Sequence, residues 1–150
     1  MKKIRITKQF DFESAHALYG YDGKCKNIHG HSYHLHVTVI GTPIEDINHH
    51  KNGMVLDFGD LKKIVKEEIV DVFDHAIILN GKSPHRDLAL TLKDNAHRIV
   101  LVDYQPTSEN MLFDIADKIK KQLPKDVSLH SLKLFETANS YAEWFDEDQK

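Results

Sequence analysis

The 150-residue chain is poor in cysteine, in charge of one sign and in long apolar runs. One Cys, at position 25, excludes an intramolecular disulfide framework and a multi-cysteine zinc finger. Twenty Lys and Arg stand against 23 Asp and Glu, a formal charge of −3 with a pI near 6.4. Dedicated nucleic-acid binders normally carry a basic excess, so no nucleic-acid partner is expected. No apolar run approaches the roughly 20 residues of a membrane span. The polar start Met1-Lys2-Lys3-Ile4-Arg5 leads into no signal-peptide core. The expectation is a soluble protein of the cytoplasm with no membrane partner. No internal repeat, low-complexity tract or linker interrupts the chain, which suits a single domain over 1–150 with its own core. Its composition, 41% hydrophobic and 29% charged, is that of a globular protein. What is plentiful is histidine, with 11 copies. That balance leaves room for a metal held mainly by imidazole and for a lone thiol with a chemical task.

Residues 3–13 alternate, with Ile4, Ile6, Phe10 and Phe12 on one parity, and read as a strand with one buried face. Residues 18–28 are rich in Gly, Asp and Asn and read as a loop. Alternation resumes over 31–39, with Tyr33, Leu35, Val37 and Val39 inward. A helix follows, its apolar residues Leu61, Ile64, Val65, Ile69, Val72 and Phe73 at three- and four-residue spacings, with Asp57 or Asp60 as its cap. A second helix starts near Thr107 or Ser108 and stops before Pro124. Strands over 128–136 and 141–145 complete a ββ–α–α–ββ order, and the last residues, DEDQK, read as a frayed tail. Between the two helices, residues 81–105 are read as a short helix at 87–96 and an extended Ile99–Val102.

Strand periodicity singles out a metal site. His31 shares parity with Tyr33 and Leu35, so His29 and His31 should face the interior together, whereas His34 and His36 should not. His16 continues the parity of Phe10 and Phe12 on the first strand. Three imidazoles aimed at one point leave a fourth coordination position open, as in catalytic zinc sites. Cys25 lies four residues before His29. It reads either as a fourth ligand that closes the site or as a thiolate poised beside it to remove a proton. The adjacent Asp74 and His75 offer a titratable imidazole where the chain leaves the first helix, or a His favoured there by the helix dipole. Glu136 continues the inward parity of Leu132 and Leu134. An inward carboxylate suits a ligand with two parallel N–H groups, unless the strand has ended and Glu136 faces water. Glu109 is accounted for by the dipole of the helix it begins.

FESAH at 12–16, CKNIHGH at 25–31, MVLDFGDLK at 54–62, FDHAIILN at 73–80, PTSEN at 106–110 and FETANSYAEW at 135–144 follow one another in order. Together they resemble the family of 6-pyruvoyl- and 6-carboxytetrahydropterin synthases over nearly the whole chain. The three-residue gap between Cys25 and the HGH triplet is similar to the bacterial carboxy enzymes of queuosine (7-deazaguanine) biosynthesis. The stretch at 81–105 is longer than in the shorter bacterial members. The resemblance implies an α+β tunnelling fold, a four-stranded antiparallel sheet with two helices on one face. It implies a homo-oligomer, commonly a hexamer of two stacked trimers with active sites between subunits. It also implies a zinc-dependent lyase that converts 7,8-dihydroneopterin triphosphate to 6-carboxy-5,6,7,8-tetrahydropterin, acetaldehyde and triphosphate. In that enzyme His16, His29 and His31 hold Zn2+, Cys25 is the base, and His75, oriented by Asp74, shuttles protons. Glu136 anchors the pterin, with Thr107, Ser108 and Glu109 in the same pocket. Lys24, Lys26, Lys82, Arg86, Lys93 and Arg98 are open candidates for the triphosphate. The alternatives are a pyruvoyl synthase acting on the same substrate, or a non-enzymatic zinc module closed by Cys25 and the three His.

Overall fold

Alternation of apolar and polar residues builds the two longest strands, β1 (Ile4–His16) and β2 (His29–Gly41), each 13 residues long in this computed structural model, which describes residues 2–150. They pair antiparallel along their full length, with Ile4 opposite Gly41 and His16 opposite His29. Phe10, Phe12, Tyr33, Leu35, Val37 and Val39 are buried on one face. Asp57 caps the first helix, α1 (Phe58–Val65), its Oδ1 accepting from the Gly59 amide at 2.7 Å. α1 runs on through a π-helical stretch, Lys66–Val70, into a last α-turn, Asp71–Phe73.

The π stretch has a packing reason. Leu61, Val65, Ile69 and Phe73 are all fully buried, a strict four-residue repeat. In an α-helix each four-residue step overshoots a full turn by about 40°. The wider π-turn takes up that drift and keeps all four side chains on the sheet.

The chain then forms β3 (Ala76–Asn80), α2 (His85–Asp94), β4 (Ile99–Val102), α3 (Ser108–Gln122), β5 (Val127–Thr137) and β6 (Ser140–Phe145). A 3-10 turn, Asp146–Gln149, follows where a frayed tail is expected, and Asp146 there pairs with Lys120 and Lys150. The sheet has six strands in the order β4-β3-β1-β2-β5-β6. This corrects the expected four-stranded antiparallel sheet with two helices. The extra strands β3 and β4 are parallel, β3 to β1 and β4 to β3. α2 supplies the crossover that a parallel pair needs.

α1 and α3 pack on one face of the sheet, as expected, around a core that includes Phe12, Tyr33, Leu61, Ile69, Ile78 and Ile115. α2 covers the opposite face at the β3–β4 end, where Leu79 and Ala89 meet Ala17 in a second, smaller cluster. β3 is therefore buried on both faces, which is why its sequence AIILN is a continuous apolar run rather than an alternating one.

Candidate functional site

The cross-strand register sets the site. His16 lies directly opposite His29, and His31, two residues on, lies opposite Ser14 on the same face. One ring nitrogen from each of the three histidines falls within 4.8 Å of the others, so the group can hold a metal ion. His16 Nδ1 donates to the Pro106 carbonyl at 2.6 Å, and His29 Nδ1 donates to the Asn27 carbonyl at 2.7 Å. A carbonyl only accepts, so both Nδ1 atoms carry hydrogen and both Nε2 atoms present lone pairs in the neutral rings. Those two Nε2 atoms stand 3.0 Å apart. Two facing acceptors need a proton or a metal cation between them. Burial opposes the proton: it lowers the His16 pKa below 6.5, outweighing the bond to Pro106. His31 Nε2 is buried without a hydrogen-bond partner, and burial lowers its pKa against the pull of Glu136. Three convergent imidazoles, two of them fixed by backbone carbonyls, are a donor set that fits a metal.

Sequence reasoning missed the two carbonyls, of Asn27 and Pro106, because a backbone acceptor leaves no mark in residue type. His34 and His36 lie on the other face, as parity predicts. His34 is engaged by Asp11 and, through Nε2 at 3.1 Å, by Gln9.

Glu136 sits at a register shift between β5 and β6, where Phe135 pairs with Tyr141 and Thr137 with Ser140. It continues the inward side of Leu132 and Leu134, both buried. Oε1 accepts from Ser108 Oγ at 2.7 Å, and Oε2 lies 3.9 Å from His31 Nε2. The carboxylate is 30% exposed, half-buried rather than solvated. Thr107 caps α3, its Oγ1 accepting from the Asn110 amide at 3.2 Å, and Glu109 is exposed in the first turn. Ser108, Glu109 and Glu136 line a cleft of about 350 Å³ with Ser140, Tyr141 and Ala142, so three of the four expected pocket residues come together. Thr107 serves the helix end behind it.

Asp74 and His75 do touch. His75 has φ +57°, in the left-handed region, and its Nδ1 lies 3.0 Å from Asp74 Oδ2. Adjacent side chains usually diverge, but the left-handed residue turns the ring back. Asp74 Oδ1 also accepts from the Glu13 amide at 2.9 Å, and this bond, with that to His75, holds the Asp74 pKa below its usual value. His75 and His31 line one cleft of about 390 Å³ along Glu13, Ser14 and Gly30. His75 itself is largely exposed.

Cys25 occupies a 3-10 turn, Lys24–Lys26, and is half-buried. Among the described residues its Sγ does not join the three-histidine group. Of the candidate cations, Arg98 is committed elsewhere. Its guanidinium donates to the Asp71 carbonyl and, at 2.7 Å, to that of Val72, closing the end of the first helix. Lys82 lies 3.6 Å from Asp103.

The family model of 6-pyruvoyl tetrahydropterin synthase matches residues 5–147. A protein of Haemophilus influenzae named 6-carboxy-5,6,7,8-tetrahydropterin synthase is 36% identical over 142 residues, which is 94% of this chain and 98% of that one. Among solved structures, an uncharacterised protein of Wolinella succinogenes aligns with a TM-score of 0.81 at 20% identity, over 97% of this chain and 99% of that one. The 6-pyruvoyl tetrahydropterin synthase of Caenorhabditis elegans aligns with a TM-score of 0.68 at 24% identity, over 97% and 96%. At those identities the two structures establish a shared fold. With the sequence match running through the histidine strands, the α3 cap and the Glu136 bulge alike, the chain belongs to the 6-pyruvoyl tetrahydropterin synthase family.

Proposed function

We propose that the protein is a lyase that converts 7,8-dihydroneopterin triphosphate and water to 6-carboxy-5,6,7,8-tetrahydropterin, acetaldehyde and triphosphate, in queuosine biosynthesis in the cytoplasm. One observation carries the reading. The two facing Nε2 atoms of His16 and His29, with the unpartnered Nε2 of His31, converge beside the half-buried carboxylate of Glu136. Likeness over nearly the full length of the Haemophilus influenzae protein supports the carboxy product over the pyruvoyl one. Among the described residues, no helix is long and apolar enough to cross a membrane.

Zinc is the metal this donor set suits, and when bound by His16, His29 and His31 it supplies Lewis acidity toward the oxygens of the substrate side chain. The remaining work falls to the chain. Glu136 accepts the N–H edge of the pterin, and Ser108 holds the carboxylate by donating to Oε1. Glu109 lines the same cleft, and Thr107 keeps the first turn of α3 in place behind it. Cys25, outside the histidine group, takes a side-chain proton as general base. His75 passes protons on, with Asp74 fixing its ring through Nδ1. The half-exposed Cys25 and largely exposed His75 suit a site completed by a neighbouring subunit in a homo-oligomer, a hexamer in this reading.

Incubation with 7,8-dihydroneopterin triphosphate and mass analysis of the products tests the assignment. Acetaldehyde with a 6-carboxy pterin is expected. A pyruvoyl pterin without carbon–carbon cleavage would replace the assignment with the pyruvoyl reaction.

A further inference from the structure

We infer that Gln105 is a positioning residue for the Cys25 thiol, an inference that rests on the proposed role of Cys25 as the base. The Gln105 side chain clamps the backbone of a residue 86 positions away. Its Oε1 accepts from the Tyr19 amide at 3.1 Å, and its Nε2 donates to the Tyr19 carbonyl at 2.9 Å. One step before Tyr19, the Leu18 amide donates to the carbonyl of Cys25 at 3.0 Å, closing the loop that carries the thiol. The other hydrogen bonds of this loop, such as Lys26 to Gly23 and Tyr21 to Leu18, stay inside it. At its end the loop is tied to the start of β2, where the Asn27 amide and Asn27 Nδ2 both donate to the Lys24 carbonyl at 3.1 Å. Among the described residues, the two Gln105 bonds are the ones that tie residues 18–26 to a segment distant in sequence.

The other end of the clamp is anchored at the imidazoles. The Gln105 carbonyl accepts from Asn110 Nδ2 at 3.0 Å and from the Thr107 amide at 2.8 Å, which pins it to the start of α3. The next carbonyl, of Pro106, receives His16 Nδ1. A single dipeptide, Gln105-Pro106, therefore fixes one ring of the histidine group and the loop that bears the thiol. The loop is rich in Gly, Asp and Lys and contributes no side chain to the main core. Its geometry relative to His16 then rests on this bridge at the Tyr19 end and on the Asn27 bonds beside His29 at the other. A general base is effective only within hydrogen-bond reach of its proton, so loosening the bridge lowers the rate of the chemical step more than it weakens substrate binding.

The test uses Gln105→Met, which keeps side-chain length and removes both hydrogen bonds, in the zinc-loaded enzyme. Because Cys25 is the only thiol, iodoacetamide alkylation reads its surroundings directly. Zinc content is expected to stay at the wild-type value, with kcat down roughly ten- to a hundredfold, KM within about twofold, and alkylation several-fold faster. In a Cys25→Ala background, Gln105→Met should cause no further loss of turnover, since the residue acts through the thiol. Unchanged kcat and unchanged alkylation, or a full additional loss on top of Cys25→Ala, would overturn the inference while leaving the base assignment standing. Full turnover in Cys25→Ala alone would overturn the base assignment and the positioning role with it.

Discussion

Glu136 continues the inward side of Leu132 and Leu134 at the register shift that ends the β5–β6 pairing, and Ser108 fixes one of its two oxygens. The free oxygen is the one left for a ligand. Glu136→Gln removes the charge and turns one acceptor into a donor, so a pterin should bind more weakly by roughly 1.5–3 kcal/mol, the range for a hydrogen bond to a charged group. Titration calorimetry with neopterin checks this alongside metal analysis. Weaker pterin binding with zinc content unchanged is expected, and unchanged affinity would remove Glu136 from the pterin site. Parity along β1 and β2 made the histidine group legible in the sequence, because both strands alternate without interruption up to the ends where His16 and His29 meet. The inward place of Glu136 was legible from Leu132 and Leu134. Its bond to Ser108, and the clamp of Gln105 on Tyr19, were not, since each joins segments that only the folded chain brings together.

At the scale of elements, the junction between the first helix and β3 carries the strain in the site. His75 occupies the left-handed region, which costs a residue with a Cβ about 1–2 kcal/mol, and glycine pays roughly half of that back in unfolded-chain entropy. His75→Gly should thus raise thermal stability by up to about 1 kcal/mol while abolishing turnover. Thermal denaturation and the product assay measure the two effects, and a lower melting temperature would argue that the Asp74–His75 contact outweighs the backbone strain. Pattern reading reached the helices and five of the six strands, the extended Ile99–Val102 among them, but left Ala76–Asn80 unassigned. A five-residue run buried on both faces has no alternation to announce it. The π-turn at Lys66–Val70 was hidden for a related reason, as a four-residue repeat reads as an ordinary helix face. The contact of Asp74 with His75 depends on a single backbone angle and left no trace in the sequence.

For the whole molecule, the six-stranded sheet gathers residues from both ends of the chain around one cluster of imidazoles, and the burial of His16 and His31 there and of His36 on the opposite face sets the response to pH. Burial lowers the pKa of His16, His31 and His36 from 6.5 in the folded state. The unfolded chain takes up protons near 6.5 where the folded one resists them, so stability rises with pH across that window. Metal-stripped protein should hold full stability above pH 6.5 and lose it as pH falls below that value. Urea midpoints in chelator at neutral and mildly acid pH measure the effect, and a midpoint that rises on acidification would contradict it. In the proposed function three imidazoles form an open metal site with the thiol beside it rather than on it, and zinc content and acetaldehyde release measured together on Cys25→Ala decide between the two places for the thiol. Zinc is expected to stay at its wild-type content per chain while acetaldehyde release falls to a small residual rate, and loss of the zinc with the thiol would overturn the open site.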